Sequence, residues 1–301
     1  MDNLEIIANY NDLCGECPVW DEAQQQLYWT DCVGQRFYRY DWRTEMHEIV
    51  QQGFEINGFT LNEPGGFIVT NNSGIWSWNT GTEPHLIADY VDGKKCQMND
   101  CAADPAGRLI AGSWFYDPNS DDFPRGDLIQ VETDGTARVL DEGFKLANGL
   151  DFSPDGRTLY FADSAERRIY AYDYEIGTGT PKNRRVFANI PVERGLPDGL
   201  SVDSKGFVWS AEWYGSQVVR YDPEGKLERT IRTPAKQTSS VTFGGPDLTS
   251  IVLTSASKSE AMPIMPYGYD PLKGNFGGAL YRIASEVTGK QTLRSKIKIS
   301  R

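Results

Sequence analysis

Along almost the whole chain, apolar and polar residues alternate in runs of about five, and turn residues bound each run. Leu27-Tyr-Trp-Thr-Asp31, Phe67-Ile-Val-Thr-Asn71, Leu109-Ile-Ala-Gly-Ser113, Leu159-Tyr-Phe-Ala-Asp163, Val208-Trp-Ser-Ala-Glu212 and Ile251-Val-Leu-Thr-Ser255 are six such runs. They are rich in β-branched and aromatic residues, which suit a pleated, half-buried surface. Turns such as Asp104-Pro-Ala-Gly107, Ser153-Pro-Asp-Gly156 and Asp203-Ser-Lys-Gly206 precede them. Gly accepts a positive φ and Asp bonds its own backbone, so each turn and run reads as the middle of a hairpin. A third alternating run follows each hairpin, from Gln35 to Tyr40, Gly74 to Trp78, Gly126 to Val131, Arg168 to Tyr172, Ser216 to Tyr221 and Gly278 to Ile283. A fourth short strand is expected after it, as at 137–140 and 227–231. Six four-stranded antiparallel units of 40 to 50 residues predict an all-β, six-bladed β-propeller.

The expected single propeller spans 1–289. Leu4-Glu-Ile-Ile-Ala8 has no hairpin of its own and is expected to complete the last blade as its outermost strand. Longer loops are expected at 114–125, 175–184 and 256–276, and a polar, frayed tail at 290–301.

One position recurs just before each hairpin: Glu16, Asn57, Asn99, Asn148, Asp198 and Ser239, spaced 41, 42, 49, 50 and 41 residues apart. The first strand of a propeller blade lines the central channel, so these six side chains are expected to converge at one end of it. Asn-Gly and Asp-Gly are also turn dipeptides, which offers a purely structural reason for Asn57, Asn148 and Asp198. That reason does not extend to Glu16. Carboxylates gathered at one place repel unless a cation holds them. Oxygen donors without thiolate or imidazole suit a hard divalent ion.

Composition narrows the chemistry. A net charge of -12 over 301 residues disfavours nucleic acid and anionic membrane surfaces. No apolar run approaches the ~20 residues that a bilayer requires, and the N-terminus lacks the pattern of a signal peptide. Five cysteines, an odd number in a large chain, read as reduced thiols rather than staples or a zinc cage. These features point to a soluble, cytoplasmic protein. Only two histidines are present, so a Ser-His-Asp triad or a His-rich metal site is disfavoured and any general base is expected to be a carboxylate. A closed propeller has no edge that demands a partner, so a monomer or weak homo-oligomer is expected.

Five motifs carry a family resemblance: Gly15-Glu-Cys-Pro-Val-Trp20, Asn99-Asp100 before Asp104-Pro-Ala-Gly107, Ala147-Asn-Gly-Leu150 with Phe152-Ser-Pro-Asp-Gly156, Pro197-Asp-Gly-Leu200, and Ser240-Val-Thr-Phe-Gly-Gly245. Together they resemble the senescence-marker-protein-30, gluconolactonase and luciferin-regenerating-enzyme-like family from about residue 13 to 283. The resemblance implies a divalent metal on Glu16, Asn148 and Asp198, with Ca²⁺ first and Mn²⁺, Mg²⁺ or Zn²⁺ as the other candidates. It implies hydrolysis of a sugar lactone, with Asn99 touching the substrate and Asp198 activating water. Many sugar lactonases of the family carry Arg two residues before that Asn, where this chain has Gln97. A neutral amide there replaces a charged bidentate donor. Asn57, Asp122 and Trp213 are further substrate-contact candidates, and Trp114, Tyr116, Glu212 and Tyr214 are candidates for the pocket wall. A metal-dependent phosphotriester or aryl-ester hydrolase and a non-catalytic calcium-binding regulator are the alternatives.

Overall fold

The computed structural model describes residues 4–115, 125–258, 264–270 and 273–298. Six four-stranded antiparallel sheets surround a central channel as blades of a propeller. Blade 1 comprises Gly15–Asp21, Gln26–Asp31, Arg36–Asp41 and His47–Gln52. Blades 2 to 5 open on Gly58–Leu61, Met98–Ala103, Ala147–Phe152 and Leu196–Val202. Blade 6 takes Thr238–Gly244, Ser250–Ser255 and Ala279–Ala284 from the end of the chain and Leu4–Asn9 from its start. The N-terminal strand pairs antiparallel with Ala279–Ala284, as its pattern predicts, and so closes the ring with backbone hydrogen bonds.

Each blade lies between two others, so both faces of its middle strands are covered. Leu159–Phe161 and Val208–Ser210 are buried at every position. One apolar cluster fills each of the six inter-blade spaces: Phe37 of blade 1 meets Phe59 of blade 2, and Trp209 of blade 5 meets Phe243 of blade 6. Outer strands bury one face at most, and Leu227–Arg232 is exposed except at Ile231.

Two loop expectations change. Residues 175–184 are not an inserted loop: Arg168–Glu175 and Thr180–Asn189 form a long hairpin joined by a four-residue turn. Nor is the C-terminal stretch frayed over 290–298. It crosses the base of the channel as a strap, with Ser295 and Ile297 buried. Lys290 bonds Asp151 at 2.6 Å, Arg294 bonds Asp21 at 2.6 Å, and the Ile297 N–H donates to Asn62. These partners belong to blades 4 and 1 and to the loop after the first strand of blade 2.

Candidate active site at the top of the channel

The ring residues acquire their direction from a repeated backbone irregularity. In five blades the register between first and second strands shifts at the ring position, between Glu16 and Val19, Met98 and Cys101, Ala147 and Leu150, Pro197 and Leu200, and Thr238 and Val241. Such a bulge leaves one residue unpaired and re-aims its side chain. Asn57 instead stands just before its strand, its N–H donating to the Thr70 carbonyl at 2.9 Å. The glycines that follow three ring residues are not turn glycines. A Cβ on Gly149 would sit 2.3 Å from the Leu200 nitrogen, one on Gly199 2.0 Å from the Ser240 hydroxyl, and one on Gly58 3.0 Å from the Asn99 carbonyl oxygen. Neighbouring first strands pass too close around the channel for any side chain.

The ring members then divide into two kinds. The Asn57 amide donates to the Met98 carbonyl at 2.9 Å and the Asn99 amide to the Ala147 carbonyl at 2.7 Å. The Asn148 amide reaches the Ser164 hydroxyl, which donates to the Pro197 carbonyl. The Ser239 hydroxyl donates to the Gly15 carbonyl. In each case the carbonyl belongs to the residue just before the next ring member, so these side chains staple blade to blade. Glu16 and Asp198 make no such staple. Between blades 1 and 2, Thr30 supplies the link instead by donating to the Ile56 carbonyl at 3.0 Å.

The two carboxylates are left in an environment that penalises charge. Asp198 is buried, and its Oδ1 has no hydrogen-bond partner. Burial pushes its carboxyl well above the usual range, with the charge of Asp100 adding to the effect and the Asn148 hydrogen bond opposing it. Burial also pushes Glu16 well up, with Asp198 as the next contributor. Asp100 is raised to about 7 by burial. Such an arrangement is costly unless a positive charge compensates it.

Above these groups lies a cavity of about 430 Å³. Glu16, Asn57, Asn99, Asn148, Asp198 and Trp213 all line it, whereas Ser239 is turned into the wall by its bond to Gly15. Gln97 is not among the described residues that line it; its backbone carbonyl accepts the Trp114 N–H at 3.0 Å. Asp122 and Tyr116 lie outside the described residues. Of the wall candidates, Trp114 lines the cavity, while Glu212 is buried against Arg194 and Gln217. Asp100 faces a separate cavity of about 110 Å³ beneath, closed from below by Lys290 to Leu293 of the strap.

Trp114 and Trp213, expected at the pocket wall, belong to a second ring of which sequence reasoning missed three members. Cys32, Asn72, Trp114 and Ser164 each follow the second strand of a blade, Trp213 ends one, and all five line the cavity. The signal was present, because each stands directly after a small polar or acidic residue. Two of those preceding residues hold the rim: Asp31 accepts the N–H groups of Leu13 and Cys14, and Asp163 those of Lys145 and Leu146.

The donor set can be tested against a divalent cation. Asp198 presents an unpartnered buried oxygen, Glu16 lies within its field, and Asn148 spends its amide N–H on its neighbours and keeps its oxygen. No Lys or Arg is among the described lining residues. The thiol of Cys14, which also lines the cavity, is pushed up by its hydrogen bond with Cys32 and by burial, so it is held neutral and is a poor ligand. All five cysteines are free, and Cys17, Cys96 and Cys101 are buried in the apolar clusters. Two carboxylates and an amide oxygen fit a hard divalent ion.

Comparison with known proteins identifies the family. A family model described as the SMP-30/Gluconolactonase/LRE-like region matches residues 14–257. The pentonolactonase XacC of Haloferax volcanii is 34% identical over 95% of this chain and 95% of its own length. The 6-deoxy-6-sulfogluconolactonase of Pseudomonas putida is also 34% identical, over 86% of this chain and 89% of that protein. Among solved structures, a luciferin-regenerating enzyme superposes with a TM-score of 0.86 at 26% identity, covering 99% of this chain and all of that one.

Proposed function

The chain belongs to the SMP-30/gluconolactonase/LRE-like family, and from that premise we propose that it is a carboxylic-ester hydrolase that opens a sugar lactone to its aldonic acid with the help of a divalent cation. The observation that carries the reading is the unpartnered, buried Asp198 oxygen beside Glu16, at the floor of a cavity walled by amides. Two similar proteins are named as lactonases, one for pentonolactones and one for a sulfonated gluconolactone.

Glu16, Asn148 and Asp198 would hold the cation, Ca²⁺ first among the candidates. When bound, it supplies Lewis-acid polarisation of the lactone carbonyl and of water. Asp198 accepts a proton from the attacking water as the new C–O bond forms. It returns that proton to the ring oxygen as the old ester bond breaks, so the product leaves as hydroxy acid. Asn99 and Asn57, each with one amide N–H committed to the next blade, offer their oxygens and the second N–H to substrate hydroxyls. The indoles of Trp114 and Trp213 and the side chains of Leu146 and Leu196 exclude water around the ring carbons. No Ser or Cys nucleophile is needed.

The test is acid release from a panel of pentono- and hexonolactones by chelated protein, with and without added Ca²⁺, Mn²⁺, Mg²⁺ or Zn²⁺. Metal-dependent hydrolysis of one or two of them is the expected result. Metal that raises the unfolding temperature while every lactone survives would replace the enzyme reading with that of a cation-binding regulator.

A further inference from the structure

The cavity wall carries one charge that the cation site does not use. Glu55, between the outermost strand of blade 1 and Asn57, lines the cavity, and its carboxylate is bound by another lining residue, Asn72. The Asn72 side chain donates to Glu55 Oε1 at 2.6 Å, and the Asn72 backbone N–H donates to Oε2 at 3.3 Å. The Trp114 indole N–H in turn donates to the Asn72 side-chain oxygen at 3.2 Å. A chain of hydrogen bonds therefore runs along the wall from blade 3 to blade 2 and ends on an anion. Among the described residues, no Lys or Arg pairs with Glu55.

We propose that Glu55, positioned by Asn72 and Trp114, makes this cavity selective for uncharged polyhydroxy lactones by accepting a substrate hydroxyl and repelling lactones that carry phosphate, sulfonate or carboxylate. The inference rests on the lactonase reading and sharpens it. A divalent cation offsets the charges of Glu16 and Asp198, which leaves the charge of Glu55 uncompensated. The cations nearest in sequence to other cavity residues are engaged elsewhere: Arg36 pairs with Asp31, Lys145 with Glu166, Arg194 with Glu212, and Arg167 donates to the carbonyls of Gly195 and Ile264. Residues 116–124 and 259–263 contain no Lys or Arg, so those stretches supply none. An anionic substituent entering here meets like charge in a space that sheds water as it fills, where the repulsion is strongest. The same charge favours departure of the product, because hydrolysis turns a neutral ring into a carboxylate.

The experiment compares gluconolactone with 6-phosphogluconolactone in wild-type protein and in Glu55→Gln, with folding checked by unfolding temperature. Wild type is expected to prefer the neutral ring by about 100-fold in kcat/KM, and Glu55→Gln to narrow that ratio by about tenfold, the effect of roughly one pK unit of interaction. Asn72→Ala, which releases the carboxylate, should narrow the same ratio to a smaller degree. Product inhibition by gluconate should strengthen in Glu55→Gln. Equal rates on both lactones in wild type, or a ratio unmoved by Glu55→Gln, would overturn the inference while leaving the lactonase reading intact. If neither lactone is cleaved, the wider panel of pentono- and hexonolactones decides the lactonase reading. Calorimetric binding of gluconate then decides the inference alone: about tenfold tightening in Glu55→Gln supports it, and unchanged affinity overturns it.

Discussion

The two ends of the channel treat buried acids in opposite ways. At the base, Asp151 meets Lys290, Asp21 meets Arg294, and Asp104 meets Arg108 at 2.8 Å. At the top, Asp198 and Glu16 share a cavity with Glu55 and five amides, and no Lys or Arg is among its described lining residues. Both ends draw their acids from equivalent places in the blades, at the entry or exit of a first strand. The difference teaches that the fold can neutralise such acids with its own cations, and on the proposed reading the compensation at the top falls to a bound cation. The strap makes the contrast possible: by closing the base with cations, it turns an open channel into a one-ended pocket.

The largest effect expected from this comparison is at the top. Asp198→Asn should lower kcat by about 10²–10⁴-fold, the range for loss of a general base. In cation-free protein the same substitution should raise the unfolding temperature by a few degrees, because it removes repulsion among buried acids. Steady-state kinetics and thermal melts with and without chelator separate the two signs. A lower melting temperature in the cation-free variant would mean that Asp198 is structural, like the acids of the base.

At the base the signs should reverse. Arg294→Met leaves the buried Asp21 without its partner and should cost about 3 kcal/mol of stability, seen in chemical denaturation. kcat per folded molecule should stay within twofold. A large loss of kcat would couple the strap to the chemistry and break the division between the two ends. Gly199→Ala probes the boundary between the ends. Its methyl would meet Ser240 and should cost about 1–3 kcal/mol by overpacking, with a rise in KM as blades 5 and 6 move apart.

The smallest effect lies away from the channel, at Asp12 between blades 1 and 6. Burial raises its carboxyl from 3.8 to about 6, against the opposing hydrogen bonds of Tyr38 and Trp29. The native state therefore holds this proton more tightly than the unfolded chain. Between about pH 4 and 6, stability should fall as pH rises, by at most about 1.4 kcal/mol per unit. Asp12→Asn should flatten that slope in a pH series of melts.

The blade count, the N-terminal closing strand and five of the six ring positions were legible in the sequence, because each depends on local rules: period-two alternation, turn chemistry and a repeat of 40 to 50 residues. Trp114 and Trp213 were legible for the same reason, as residues that end a second strand. Glu55 was not, because it stands outside the repeat grammar and matters only through Asn72 and the lack of a cation nearby. Nor was Ser239, whose place in the ring predicted a ligand although its hydroxyl is spent on Gly15. The tail from Lys290 was unreadable as a strap. Its basic and polar residues carry no period, and their partners lie 139 to 273 positions away in the chain.

By itself the sequence determined the architecture and the chemical type of the ring, since alternation and oxygen-bearing side chains are properties of the residues alone. The tertiary structure alone decided which ring members staple the blades and which face the cavity, which acids are neutralised, and that the channel opens at one end. Those outcomes depend on hydrogen-bond partners and charges brought together from distant positions, and no local pattern encodes who the neighbours will be.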